Sequence, residues 1–444
     1  MFARPENLCS KEAVGRPQAR PFRSEVSVSS RKYSILIPTR SRAAYLGHAI
    51  TSALIAGRKS GCDFEVVVAD NASDDETAEV MEGFRSTHVR WLRSEQRLSM
   101  RANFERALDA STGSHVCIIG DDDAISVNGL AYLDALLDAT DALVVQWPQM
   151  NYSWPPKSGG TIKVRYAEVT GLYETVNTGQ IIQRIRDANF FDYHVGGNVY
   201  HGFVSRTLID QAVSKDGAPY FHAVVPDVYA SFQNLFFAEN RMVRAKFPIS
   251  IGGASPRSNG ADGVQPSNLK GSGEFARFVS EAASDKIGSF LPPGCRSVSL
   301  MELDAFLHVC RRHGFPDQVN TQAWWSRVKR DIMGLAPADI GKHIQFAREL
   351  LGDPHLGEEI VIPPENAATT SKAEKSPEAG AESRKFRLTS LRLAGGAHMQ
   401  DISKATNFVD QLIVGQGTPS PTRSLVSHAY RQCRTMLRAW SERT

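Results

Sequence analysis

The chain is 444 residues long, 42% apolar by composition, with a formal net charge of +3. That length exceeds one ordinary domain and supplies ample apolar surface for a core, so a soluble protein of two or more units is expected. The near-neutral charge implies no nucleic-acid partner. The 6 scattered cysteines show no paired zinc spacing and fit a reducing cytosol, and no stretch is long and apolar enough to span a bilayer.

Residues 1–32 are polar and basic, with neither an apolar core nor a signal peptide, and are expected to be disordered. Ser34, Ile35, Leu36 and Ile37 then read as a strand that enters the polar cluster Pro38, Thr39, Arg40, Ser41 and Arg42. Across residues 43–57, Leu46, Ile50, Ala53 and Leu54 fall on one helical face, with Gly57 as the stop. A second apolar run, residues 64–69, enters Asp70, Asn71, Ala72, Ser73, Asp74 and Asp75. Ser73 is expected to cap a helix over 74–84, with Glu76 completing a capping box. A short strand over 88–92 and a helix over 99–110 follow, the latter turning Phe104, Ala107 and Leu108 inward and ending at Thr112 and Gly113. A third apolar run, residues 115–119, enters Gly120, Asp121, Asp122 and Asp123.

Strand, helix, strand, helix, strand, helix, strand is the order of an α/β domain with a largely parallel sheet. Such sheets bind ligands outside the carboxyl ends of their strands, and right-handed crossovers bring the three polar clusters onto one rim. Adjacent carboxylates repel one another and raise one another's pKa. A divalent cation reverses that cost, because Mg²⁺ and Mn²⁺ take hard oxygen ligands and accept phosphate oxygens to complete their shell. Taken alone, the acidic run could equally be a solvated turn that caps the next helix. The convergence of three polar ends favours a metal–diphosphate site.

Four pieces stand in a telling order: residues 34–42, residues 68–77, Arg101 to Asn103 with residues 110–113, and residues 120–123. In order and spacing they resemble a family 2 glycosyltransferase of the GT-A fold, clearly over residues 33–137 and more weakly to about residue 260. The resemblance implies a GT-A-type three-layer domain, a nucleotide-sugar donor, a divalent cation (Mn²⁺ or Mg²⁺) and a role in polysaccharide biosynthesis. It implies that Pro38, Thr39 and Arg40 line the nucleotide base and that Asp70, beside Asn71, accepts from the uracil ring. An ionised carboxylate suits that task, although Asp before a helix is also a common cap. The Asp-x-Asp pair corresponds to Asp121 and Asp123. Asp121 would reach the ribose or the metal, Asp123 would ligate the metal, and Asp122 between them would share either role. A basic residue such as Arg101 or Arg97 would contact the donor, as a guanidinium near a diphosphate can. Asn103 reads instead as a buried structural amide.

Family members generally invert the sugar carbon in one displacement, which needs a carboxylate to deprotonate the acceptor hydroxyl. Asp227, opening the periodic helix over 228–237, is the best-placed acid, ahead of Asp192 and Asp210. Where the family often shows a Glu-Asp pair, this chain has Pro226 before Asp227. Trp147, Tyr152 and Trp154 suit either a sugar face or the core, with the core favoured. Residues 196–201 resemble the family's acceptor-side strand, and His222 or His201 would line that pocket. Residues 250–273 form a long Gly- and Ser-rich loop.

The domain reading is a basic tail over 1–32, the transferase domain over 33–260 and a helical extension over 261–362. A low-complexity linker over 363–385 and a small segment over 386–444 complete it. In that last segment residues 424–443 are amphipathic, which suits packing on a partner or lying on an anionic membrane. The expectation is a metal-dependent inverting transferase moving a sugar, expected from UDP, onto a glycan or lipid-linked hydroxyl, in the cytoplasm or peripheral on the inner membrane face. An Asp-x-Asp phosphatase and a non-catalytic nucleotide-sugar-binding relative are the alternatives.

Overall fold

The computed structural model describes residues 31–362, apart from 149, 155–161, 166–172, 191–195, 256–280, 282–284 and 286–294, together with 390–393 and 402. In chain order it opens with β1 (Lys32–Thr39), α1 (Ala43–Ser60), β2 (Asp63–Asp70), α2 (Thr77–Glu82), β3 (Val89–Arg93), α3 (Met100–Asp109) and β4 (His115–Ile118). There follow β5 (Ala124–Ile125), α4 (Gly129–Ala139), β6 (Val144–Gln146), β7 (Met150–Ser153), β8 (Ile162–Arg165), β9 (Tyr173–Val176) and α5 (Thr178–Arg186). Next come β10 (Gly202–Ser205), α6 (Arg206–Ser214), α7 (Pro226–Phe237), β11 (Met242–Ala245) and β12 (Ser250–Ala254). The helices α8 (Val298–His313), α9 (Thr321–Ile332) and α10 (Pro337–Leu351), then β13 (Ser390–Leu393), end the described chain.

The main sheet runs β3-β2-β1-β4-β10-β6-β11-β9. Its first four strands are all parallel, and β10 enters antiparallel between β4 and β6. This is a mixed α/β, mostly parallel arrangement, as the element order predicts. Side chains alternate across it as the two-residue strand period requires. Leu36, Val67, Val116 and Ile118 enter one core layer. Ile35, Ile37, Val66, Val68, Cys117 and Ile119 enter the other. Two buried faces explain why these strands read as continuous apolar runs rather than alternating ones. The second layer holds α1 and α4. The first continues from α3, α6 and α7 into α8, α9 and α10, so the C-terminal helices share one apolar cluster with the sheet.

Two helix boundaries differ from expectation. α1 runs past Gly57 to Ser60, and Gly61, at φ 71°, is the left-handed cap. Gly57 is there for packing: a Cβ on it would stand 2.4 Å from the Phe64 ring. The second helix begins at Thr77, and its N-cap residue Glu76 makes no side-chain cap bond. Ser73 is committed elsewhere, its hydroxyl accepting from the Ser41 N–H at 2.9 Å. Asp75 does the local work, accepting from the Thr77 N–H at 3.1 Å and from the Ala43 N–H at 2.8 Å. The loop after β2 is thereby stapled to the loop after β1, at the expense of the first helical turn.

A three-stranded sheet, β5-β12-β7, stands beside the acidic run. β8 pairs with β13, which falls within the small segment over 386–444. Ile402 is helical and buried. The tail up to residue 30, the linker, the remainder of the 250–273 loop beyond Ser255, Asp192 and the amphipathic stretch over 424–443 lie outside the described residues, while Lys32 already belongs to β1. Among the described residues no helix is long and apolar enough to cross a membrane.

Candidate active site at the carboxyl rim

β1, β2 and β4 run parallel in register, Thr39 opposite Asp70 and Leu36 opposite Ile118, so their C-terminal ends share one rim. The Thr39 hydroxyl donates to Asp121 Oδ2 at 2.8 Å. Arg42, the first residue before α1, donates from Nη1 to Asp121 Oδ1 at 3.0 Å and stands 3.6 Å from Asp122 Oδ2. Arg42 is a candidate site residue that sequence reasoning did not single out; its only signal was its place in the polar run after β1.

Asp70 is fully buried. Its Oδ1 accepts from the Ser73 N–H at 2.9 Å, while Oδ2 has no hydrogen-bond partner among the described residues. The nearest cation, Arg93 Nε, is 3.8 Å away, beyond hydrogen-bond reach. A buried carboxylate oxygen without a donor is costly and marks a place for a ligand N–H. Asn71 differs: its amide donates to the Leu98 carbonyl at 2.8 Å and accepts from the Leu98 N–H at 2.7 Å. Both ends are committed to the loop that leads into α3, so Asn71 shapes the rim. Asn103 donates to the Ala69 carbonyl at 2.9 Å, as a buried structural amide should.

The basic residues face acids of the later chain. Arg40 meets Glu281 at 3.3 Å, Arg97 meets the same carboxylate, and Arg101 Nε donates to Asp285 at 3.0 Å. Ser99, which caps α3 through its hydroxyl, also touches Asp285. Pro38 sits within β1, ahead of this cluster.

The three carboxylates of the acidic run have distinct surroundings. Asp123 is saturated. Its Oδ2 accepts from the Gly120 N–H at 2.5 Å and the Tyr200 hydroxyl at 2.9 Å, with His201 Nε2 at 3.0 Å; Oδ1 accepts from the Gly253 N–H at 2.6 Å. Burial works to raise this carboxyl, but His201 and the two backbone donors outweigh it and hold it below the ordinary range. Asp122 has the opposite balance. Burial, then Asp123 and Asp121, push it up to about 6, against Arg42 and the Ser255 N–H at 3.3 Å. Asp121 is also raised, by burial, with Arg42 and Thr39 opposing.

Two crowded, under-compensated carboxylates with hard oxygens fit a divalent cation, which would relieve the repulsion. Among the described residues no group of three His, Cys, Asp or Glu side chains has ligand geometry. A cation here would therefore draw at most two carboxylates from these residues and the rest of its shell from phosphate or water, as Mg²⁺ commonly does. Asp121 and Asp122 are the two carboxylates whose charge is least compensated, whereas the sequence pairing was Asp121 with Asp123.

Trp147, Tyr152 and Trp154 are all buried. Trp154 donates from its indole to the Asp122 carbonyl at 2.8 Å and packs on Tyr45, so it braces the acidic turn from below. Residues 196–201 are not a strand; one bridge pairs Tyr200 with Ile118, and the regular strand starts at Gly202. His201, at φ 55°, turns the chain tightly, which breaks the pleat. Its ring reaches Asp123, whereas His222 meets His308 at 2.9 Å.

Asp227 is half-buried in the first turn of α7, just after Pro226 at the helix start. α7 is tied to the acidic turn through one short segment. The Gly197 N–H donates to the Ser231 carbonyl at 3.0 Å, Asn234 donates to the Gly197 carbonyl at 2.5 Å, and Tyr200 and His201 then contact Asp123. Asp210 is exposed on α6.

Residues 34–209 match the sequence profile of Glycosyl transferase family 2. A 109-residue stretch is 31% identical to the abequosyltransferase RfbV of Salmonella typhimurium, covering 24% of this chain and 32% of that protein. The chain thus spans about a third of the length of that curated relative. Among solved structures, S. aureus TarS 1-349 in complex with UDP-GlcNAc aligns at TM-score 0.41 and 17% identity, over 72% of this chain and 89% of that one. The mannosyltransferase PcManGT of Pyrobaculum calidifontis, in complex with GDP-Man and Mn²⁺, aligns at TM-score 0.37 and 15% identity, over 72% and 79%. Through residues 34–209, the chain is thus similar to glycosyl transferase family 2.

Proposed function

We propose that the chain is a metal-dependent, inverting glycosyltransferase that moves a sugar from a nucleotide-sugar, a UDP-sugar by preference, to a hydroxyl of a glycan or lipid-linked acceptor. One observation carries the reading: Thr39, Arg42, Asp70, Asp121 and Asp122 share the carboxyl rim of β1, β2 and β4. The buried Asp70 oxygen without a donor suits a uracil ring N–H. Thr39 and Arg42 hold Asp121 in place, and Pro38 and Arg40 flank the base. Asp121 and Asp122 would hold the divalent cation, which when bound supplies Lewis-acid stabilisation of the departing nucleoside diphosphate. Arg101 and Arg40 offer charge-assisted bonds to phosphate oxygens once their present carboxylate partners are displaced.

Asp227 acts as the base. Its carboxylate takes the acceptor hydroxyl's proton as the acceptor oxygen bonds to the anomeric carbon and the carbon–oxygen bond to phosphate breaks on the opposite face. Its place at a helix N-terminus favours the anion.

The test is calorimetric titration of UDP and GDP, with and without Mn²⁺, on wild type and Asp122→Ala. Manganese-dependent binding of UDP, lost in the variant, is expected. Binding that ignores both metal and substitution would sink the metal–diphosphate reading, and tighter GDP binding would move the donor to a guanosine diphosphate sugar.

A further inference from the structure

Asp123 lies in an acidic turn, yet four donors surround it: two backbone N–H groups, the Tyr200 hydroxyl and His201 Nε2. The donor chain continues outward. His201 Nδ1 stands 2.7 Å from the Ser250 hydroxyl, and that oxygen accepts from the Trp147 indole at 2.9 Å. All of His201, Ser250 and Trp147 are buried. One arrangement satisfies every group: the Trp147 N–H donates to Ser250, the Ser250 O–H donates to Nδ1, and the His201 Nε2–H donates to Asp123. The backbone is shaped around this contact. His201 holds φ 55°, a left-handed backbone conformation uncommon outside glycine. Gly120 has no room for a Cβ, which would stand 2.6 Å from the Tyr200 hydroxyl and 2.9 Å from Asp123 Oδ2.

We propose that His201, assisted by Tyr200, is the positioning residue of the acidic turn: it clamps the Asp123 side chain inward, so that Asp122 and Asp121 are the carboxylates presented to the cation. Both residues act through Asp123 and need no contact with donor or acceptor. The same clamp links the acidic turn to α7, since residues 196–201 carry it and α7 holds Gly197. Partners in this outer position commonly change metal affinity by about 10–100-fold when removed.

This inference rests on the metal-dependent reading above, and the experiment separates the two. Mn²⁺ binding in the presence of UDP is measured by the loss of the free-ion resonance signal, on wild type, His201→Leu, His201→Gln, Tyr200→Phe and Asp123→Asn. Glutamine can place an N–H where Nε2 stands, so His201→Gln should stay within about threefold of wild type, while His201→Leu weakens binding about tenfold or more. Tyr200→Phe and Asp123→Asn should weaken it by intermediate amounts. If His201→Leu fails to fold, Tyr200→Phe, which removes one hydroxyl, carries the test. Wild-type affinity in His201→Leu, or in Tyr200→Phe where that variant is the one available, overturns the clamp; loss in His201→Gln equal to that in His201→Leu does so too. No Mn²⁺ binding by the wild type instead overturns the metal-dependent function itself.

Discussion

Gly253 shows how closely the acidic turn is fitted. A Cβ there would lie 1.8 Å from the Asp122 carbonyl oxygen, which is backbone and cannot swing away. Gly253→Ala should therefore cost about 1–3 kcal/mol of overpacking and push Asp122 and Asp123 out of place. The expected outcome is a lowered thermal midpoint together with loss of manganese-dependent UDP binding; an unchanged titration would mean the turn is looser than its contacts imply. Asp227 invites the complementary substitution. On its proposed role as a base that touches only the acceptor proton, Asp227→Asn should lower kcat by about 10²–10⁴-fold while leaving UDP affinity unchanged. A fall in donor affinity with kcat preserved would reassign it to the donor side. These residues differ in legibility. Asp227 was readable because an acid opening a periodic helix is a local signal. Gly253 was not, because its neighbour Asp122 is distant in sequence.

At the scale of elements, the start of α3 is where charge is held in reserve. Ser99, Arg101 and the helix N-terminus together favour an anion, and the Asp285 carboxylate now fills that role. Glu281 does the same for Arg40 and Arg97. A donor diphosphate that used these arginines would have to displace both acids. Asp285→Asn should accordingly bind UDP several-fold more tightly in the presence of Mn²⁺, read by the same calorimetry. Equal or weaker binding would show that Arg101 serves only to anchor the later segment. At the opposite end of the sheet, buried Glu65 in β2 accepts from Ser34 at 2.7 Å and from the Thr112 N–H at 2.6 Å. Burial opposes its charge, but these donors and Lys32 hold its carboxyl below the usual range. Thr112 belongs to that pairing, and the Gly113 N–H joins it by donating to Ser34 at 2.8 Å where the chain re-enters β4.

For the whole molecule, acid sensitivity has a traceable source. His313 is buried against Gln233, at 2.9 Å. Burial, then Arg312 and Lys215, hold it down to about 4 from an ordinary 6.5. An unfolded chain takes up that proton below about pH 6.5, whereas the folded chain refuses it until about pH 4. Its share of stability is thus present above the unfolded pKa and is lost as pH falls through that window. His313→Gln lacks the titrating ring, so its denaturant midpoint should fall less between pH 7 and pH 5 than that of the wild type. Parallel curves would refute the assignment. The C-terminal helices share a core with the sheet, so the loss should be felt as one cooperative transition.

The sequence by itself determined the alternation of strands and helices and the three polar strand ends that form the rim. Those features repeat locally, as apolar runs covered on two faces and helices with a 3.6-residue stripe, and local periodicity survives in a one-dimensional reading. It also placed Asp70 at the end of β2, Asp121 in the turn after β4 and Asp227 in the first turn of α7. Tertiary structure alone decided which carboxylate of the acidic run is spent and which is available. Asp123 is saturated by Tyr200, 77 residues on, and by Gly253, 130 residues on. Tertiary structure likewise committed Asn71 to Leu98, Ser73 to Ser41 and Trp154 to Asp122. A carboxylate's charge and a donor's direction depend on every group within a few ångströms, and in this fold those groups arrive from segments that no local spacing connects.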